Sequence, residues 1–461
     1  MPVSLSRQLA HWVAGLQFED LPPAVVDRAK GVTLHGLASA LVSYGMPAAK
    51  QALQLMQAEE AGGGGVATVL VDGTRLTKAG AAFVNAEMIL AGGKWDTFRM
   101  LTHPGSAILP AGLAAAEVEQ ATGQEYLVAI AAGYEVMERL AADFIPAVMA
   151  RGFHAGPVFG IFGAAIAAAK VMRLTAHQIH GAIAQCVNLA AGNLEGARSG
   201  GRSLREGAAV RNALLAVAMA KHGTPGGETV LEGEAGFYHA YTGNNFGKLS
   251  YSFEGRTSTQ LEHITRNLGT EWTFLETLYR IYSTAGYNIA HIDVTAKLCE
   301  EHDIHASDID RIETVVNWLE TQYPSPAFPD ASRNTGPTVG STHYFSAYGA
   351  ATRGFPLLKI AGDGEDPPEV LRLMQRVTLI PSHAQPLFAP TVTVFTTDGR
   401  SYQRVGTGKE FIWDFSDEVR RLDGLTAGIP IPAEQFHTLI DACRDLETLT
   451  RADQLVALTL T

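Results

Sequence analysis

Two histidines and a set of arginines, each in a loop ahead of an apolar helix, are the side chains whose types and spacing could do chemistry. His103 closes the stretch 93–106, which packs Lys94, Asp96, Thr97, Arg99 and Thr102 between two apolar runs. Polar groups this dense between buried elements need partners, because an unpaired one costs roughly 1–3 kcal/mol. His103-Pro104-Gly105-Ser106 reads as a helix start, with proline in the first turn where a missing N–H costs nothing. A histidine there, beside free backbone N–H groups, can bind an anion or move a proton. It can equally be a satisfied histidine in a capped loop. A second stretch, Arg151-Gly152-Phe153-His154, precedes a run of small residues, and a third, 198–207, carries Arg198, Arg202 and Arg205. Guanidinium groups bind carboxylates bidentately, so Arg151, Arg198, Arg202 and Arg205 suit a di- or tricarboxylate. The alternative is that they cap helices and pair with the protein's own carboxylates, the role expected for Arg139 and Arg173. A fourth stretch, 279–293, holds Arg280, Tyr287 and His291, with His291 and Asp293 flanking an expected helix start. His263, His343 and His383 have no comparable setting.

The elements that must position these groups are mostly helices. Apolar spacing predicts helices over 24–42, 48–58, 78–90, 107–120, 125–143, 158–172, 176–190 and 207–221, with a short strand or arm at 67–71. The run 158–172 is so rich in glycine and alanine that neighbouring backbones can approach closely, which places it at the centre of a bundle. Near Asn267 the texture changes. Helices are expected at 294–301, 342–353 and 369–376, and strands at 308–319, 377–380 and 391–396. After about Gly406 the chain returns to helix, ending in a pair at 433–445 and 451–458. The fold expected is mainly α: a large helical domain built from both chain ends (1–266 with 406–461) and a smaller inserted α+β lid (267–405). A cleft would lie between them.

Composition narrows the function. Of 461 residues 46% are hydrophobic and 18% charged, so a large core is available and wholesale disorder is excluded. A net charge of −12 argues against a nucleic-acid partner, so any arginine cluster is local and favours a small anion. Three widely spaced cysteines without a CxxC fit a reducing compartment. The first 17 residues read as an amphipathic helix and not as a signal peptide, and the stretch 156–169 is short of a membrane span. A cytoplasmic protein with no membrane partner is expected. The chain carries no phosphate loop, dinucleotide fingerprint, HExxH, zinc spacing or GxSxG, so no metal and no cofactor are expected. What remains is proton transfer next to a carboxylate, with positioned bases and cationic stabilisation of an enolate-like intermediate.

Taken together these residues resemble the MmgE/PrpD family, which includes 2-methylcitrate dehydratase, cis-aconitate decarboxylase and iminodisuccinate epimerase. The likeness rests on Thr102-His103-Pro104-Gly105-Ser106, Ala131-Ala132-Gly133-Tyr134-Glu135, Arg151-Gly152-Phe153-His154, Phe162-Gly163-Ala164-Ala165, Glu206-Gly207-Ala208-Ala209 and His291-Ile292-Asp293. It implies a helical domain from both chain ends, an α+β lid and a homodimer. His103 and His154 match the family pattern unchanged, as do Asp96 and Thr97. The first aspartate of the family's D-F-D-D loop falls on Gly93. A lysine and a histidine of its K-x-x-H become Arg202 and Arg205, and the lysine of its K-x-[YF]-P becomes Arg280. Arginine stays charged and rarely moves protons, so these changes keep carboxylate binding and remove proton carriers.

The expected function is a cofactor-independent lyase, of dehydratase or decarboxylase type, acting on a small di- or tricarboxylate. His103 and His154 are its acid–base candidates, with Asp96, Lys94 and Tyr287 as helpers. Thr97, Arg151, Arg202, Arg205, Arg280 and His291 are the candidate substrate contacts. The alternatives are an epimerase or isomerase of a substituted dicarboxylate, with two bases on opposite faces of one carbon, and a family scaffold that only binds a carboxylate.

Overall fold

The computed structural model describes residues 3–61, 63–198, 204–329, 336–364 and 366–461. Arg202, one of the expected substrate contacts, lies outside them. The N-terminal half is a stack of helices: α1 (Leu5–Gly15), α2 (Pro23–Ser43), α3 (Pro47–Glu59), α4 (Lys78–Ala91), α5 (Pro104–Glu119) and α6 (Gly123–Ala141). After the short α7 (Ile145–Ala150) come α8 (Ala155–Val171), α9 (Ala176–Leu189), α10 (Glu195–Arg198), α11 (Arg205–Lys221) and α12 (Phe237–Thr242). A two-stranded ribbon, β1 (Ala67–Thr68) with β2 (Arg75–Leu76), is inserted before α4.

α8 lies at the centre of this stack, against α5, α6, α9 and α11, and of its residues only Lys170 escapes full burial. The reason is the absence of side chains where backbones meet. A Cβ on Gly133 would lie 2.8 Å from the Gly163 carbonyl oxygen, and one on Gly163 would lie 2.8 Å from Ile108. Thr122 and Thr175 cap α6 and α9 with reciprocal bonds to Glu125 and Gln178, which pairs otherwise orphaned first-turn N–H groups.

The α+β part follows α13 (Gly286–Glu301): β3 (Ile309–Asn317), α14 (Thr342–Thr352), α15 (Pro368–Met374), β4 (Val377–Ser382), β5 (Thr391–Thr396) and β6 (Ser401–Val405). The sheet order is β4-β3-β5-β6. β3 and β4 run parallel, so their connection crosses over through α14 and α15, whereas β5 and β6 form antiparallel neighbours. β6 escaped the sequence reading because its residues show no apolar stripe; it is one of the sheet's two edge strands. The chain then returns to the first core with α16 (Phe415–Leu422), α17 (Ala433–Arg444) and α18 (Gln454–Ala457), and α16 and α17 pack on α2. The return to helix comes at Phe415 and not directly after Gly406.

Among the described residues, buried apolar side chains form two clusters. One joins the helices of both chain ends, and the other gathers Ile292 and Leu298 of α13 with the sheet, α14 and α15. The first cluster includes Phe274, Tyr279, Tyr287 and Ile289. The texture change near Asn267 therefore marks the end of the alanine-rich helices and not the edge of the helical core. α13 itself starts at Gly286, so His291 and Asp293 sit inside it and do not flank its start. Its first turns pack on the helical core and its later turns on the sheet, and no break in apolar spacing marks that handover.

Candidate active site

A cleft of about 390 Å³ opens between the helical core and the α+β part. His103, His154 and Arg205, which stand at the starts of α5, α8 and α11, line it together. Arg280, Ser283 and Tyr287 enter from the segment that leads into α13, and Tyr323, Ile360 and Phe388 face them. Among the described residues that line the cleft there are three arginines and two histidines and no carboxylate.

His103 is the N-cap residue of α5, buried to 7% exposure. Its Nδ1 lies 3.2 Å from the Asp96 carbonyl oxygen, which can only accept, so Nδ1 carries the proton and Nε2 keeps a lone pair. The Trp95 ring meets the imidazole edge-on at 4.8 Å. His154 caps α8 in the opposite sense. Its Nδ1 accepts the Gly156 N–H at 3.2 Å, so the proton sits on Nε2. Burial, then the charges of Arg280 and Arg205, hold His103 well below the usual imidazole range. Burial and Arg205 do the same to His154. Near pH 7 the cleft thus presents two neutral imidazoles of opposite tautomer, one an acceptor at Nε2 and one a donor.

The cations are fixed by the protein. Arg280, 3% exposed, donates Nη2 to the carbonyls of Gly93 (3.2 Å) and Thr284, and its guanidinium lies 4.6 Å from the Trp95 ring. Arg205, the first residue of α11, donates Nε to Glu206 at 3.1 Å. Glu206 fits because residue 156 is glycine: a Cβ there would lie 3.1 Å from the Glu206 Oε1. The α11 start is held in turn by Glu87, whose Oε1 accepts the Gly207 N–H at 2.7 Å.

Asp96, Lys94 and His291 lie one layer behind the cleft. Asp96 accepts the Gly105 N–H at 2.9 Å and the Tyr134 hydroxyl at 2.5 Å, closing the first turn of α5. Burial raises its pKa against these bonds, and its side chain does not line the cleft. Lys94 donates Nζ to Ser283 Oγ at 2.6 Å, and burial followed by Arg280 brings its pKa down to about 8. His291 is fully buried, with Nε2 3.5 Å from Glu320, whose other oxygen accepts the Phe388 N–H. Thr97 lines the cleft, its backbone bridged to Leu278, and Tyr287 leans on Tyr323 at 5.5 Å. Arg151 does not join them. It is exposed and packs against Gly243, because the chain turns at Gly152 (φ +84°) and only His154 faces inward. Arg139 binds Glu135 and the carbonyls of Arg266 and Glu271.

Trp95, Ser283, Tyr323 and Phe388 were not singled out from the sequence. Trp95 had a local signal, an indole between Lys94 and Asp96; Tyr323 and Phe388 reach the cleft only by long-range packing. No helix among the described residues is long and apolar enough to cross a membrane.

The model of the MmgE/PrpD N-terminal domain matches residues 7–248, which take in most of α1, all of α2 to α12 and all three helix-leading loops. A cis-aconitate decarboxylase-like protein of Aspergillus oryzae is 29% identical over 308 residues, 64% of this chain and 61% of its own. A cis-aconitate decarboxylase of Aspergillus terreus is 27% identical over 330 residues, 69% of this chain and 65% of its own. The human cis-aconitate decarboxylase is 34% identical over 168 residues, 35% of each chain. The matched region thus spans under two thirds of these relatives' length. With its helical half matched by the family model over more than half of the sequence, the chain belongs to the MmgE/PrpD family.

Proposed function

We propose that this protein is a lyase that removes carbon dioxide or water from a small di- or tricarboxylate, with cis-aconitate as the first substrate to test. The observation that carries the reading is the charge of the cleft. Three arginines and two neutral histidines line it, while Glu206 and Glu276, which pair with Arg205 and Arg99, lie outside the lining, so the cleft surface itself is positive and attracts a polyanion. Arg205 and Arg280 supply the positive charge that holds the carboxylates. In decarboxylation the bond from carbon to the departing carboxylate breaks, and its electron pair spreads into an unsaturated carboxylate held by the arginines. Donors fixed before the reaction stabilise that developing charge at little reorganisation cost. The His154 Nε2–H is one such donor. Where a proton leaves carbon first, as in dehydration, the His103 Nε2 lone pair is the base. The cis-aconitate decarboxylases among the relatives support the decarboxylase form.

An isomerase is the second reading, favoured by the Nε2 lone pair of His103, which can take a proton and, as the imidazolium so formed, return it. Proton NMR in heavy water decides among them, using cis-aconitate, methylcitrate and substituted succinates. A new vinyl product supports the lyase, and exchange or scrambling without a new skeleton supports the isomerase. Binding without either would sink both and leave a carboxylate-binding scaffold.

A further inference from the structure

A carbanion left by loss of carbon dioxide must gain a proton, and the two cleft histidines are poorly suited to give one. Both are neutral, and a neutral imidazole N–H is a hydrogen-bond donor but a very weak acid. Arginine keeps its protons. Just behind the wall lies a group that differs from all of these. Lys94 is 3% exposed and does not itself line the cleft. Its ammonium donates to Ser283 Oγ at 2.6 Å, and no carboxylate among the described residues pairs with it. Ser283 does line the cleft, and its own hydroxyl donates to the Gly92 carbonyl at 2.8 Å. Gly93, at φ +73°, folds the chain so that Lys94 lies back against Ser283, and Arg280 holds this turn through the Gly93 carbonyl. The Ser39 hydroxyl fixes the Lys94 carbonyl at 2.9 Å.

We infer that Lys94 and Ser283 form a two-residue acid relay that delivers a proton into the cleft, with Ser283 as the group that touches substrate. The Ser283 O–H turns from Gly92 to the substrate carbon. A C–H bond forms as that O–H bond breaks, a Lys94 N–H proton passes to the Ser283 oxygen, and Lys94 is left as a neutral amine that solvent later reprotonates. Burial and the nearby Arg280 bring Lys94 to about 8, close to the pH at which such an acid works best. Other charges near Lys94 are engaged elsewhere: Asp96 with Gly105 and Tyr134, and His35 with Glu418. The relay rests on the lyase reading above.

Two measurements on the whole protein separate the relay from that reading. The first is calorimetric binding of tricarballylate, an inert tricarboxylate, near pH 8 in buffers of different ionisation heat. Wild type should take up a proton as the anion raises the Lys94 pKa, Lys94→Met should not, and Ser283→Ala should. The second is turnover of cis-aconitate. Ser283→Ala and Lys94→Met should each lower kcat roughly 10²-fold, with little change in KM and no further loss in the double variant. The fall of wild-type kcat/KM above about pH 8 should vanish in Lys94→Met, and Ser283→Thr, which keeps a hydroxyl, should recover activity. Wild-type kcat and pH profile in Ser283→Ala would overturn the relay, as would proton uptake that survives in Lys94→Met. A wild type that neither turns over cis-aconitate nor binds tricarballylate would overturn the lyase reading instead.

Discussion

At the scale of single residues, the imidazole tautomers decide what each histidine can do. His154→Asn keeps a short acceptor at the N-cap of α8 and removes the Nε2–H, so helix stability should hold while kcat falls roughly 10²–10⁴-fold. His103→Gln removes the lone pair at Nε2 and should lose turnover to a similar extent, with tricarboxylate binding kept; calorimetry alongside rate measurement checks both. Asp96 behaves differently. Asp96→Ala strands the Gly105 N–H and the Tyr134 hydroxyl in the interior, so it should cost about 1–3 kcal/mol in urea unfolding. His103, His154 and Arg205 were legible because each sits at a helix start, where sequence carries clear signals. The facing aromatics Tyr323 and Phe388 were not, since nothing local separates them from any other buried ring.

At the scale of elements, the small-residue helix α8 sets how closely its neighbours approach. Gly133→Ala places a methyl 2.8 Å from the Gly163 carbonyl, in helices held on several sides. Overpacking of this kind should destabilise by about 1–3 kcal/mol, read from the urea midpoint at unchanged slope. Because α5 and α8 both carry site histidines at their starts, activity should fall with the shift in their spacing. The long N-terminal helices were readable from periodicity and caps. α7 and α12 were missed because six residues are too few to show a period, and α13 was started late because its apolar face changes partner midway.

At the scale of the whole molecule, a buried ion pair ties the C-terminal return to the N-terminal bundle. Glu418 of α16 accepts from Trp413 at 2.7 Å and meets His35 of α2 at 2.6 Å, fully buried. Burial alone would push His35 down; the Glu418 carboxylate outweighs it, so the folded pKa is raised. A raised folded pKa stabilises fully below the unfolded value of about 6.5, and that stabilisation is lost as pH rises through the folded value. Glu418→Gln should therefore lower the urea midpoint most near pH 6, and the gap to wild type should narrow toward pH 9. A gap that stays constant with pH would mean that the pair does not carry an imidazolium.

The sequence by itself determined the mainly helical class, the central place of the 158–172 run and the loops that carry His103, His154 and Arg205. These follow from patterns within one or two helical turns, where apolar period, proline and glycine act directly on the backbone. Only the tertiary structure decided which polar residues meet. It turned Arg151 out to solvent, put Asp96, Lys94 and His291 one layer behind the cleft, and set Ser283 against Lys94 across nearly two hundred positions of chain. Such pairings depend on how separate helices pack, and the energy that fixes them is spread over the core and written in no single stretch.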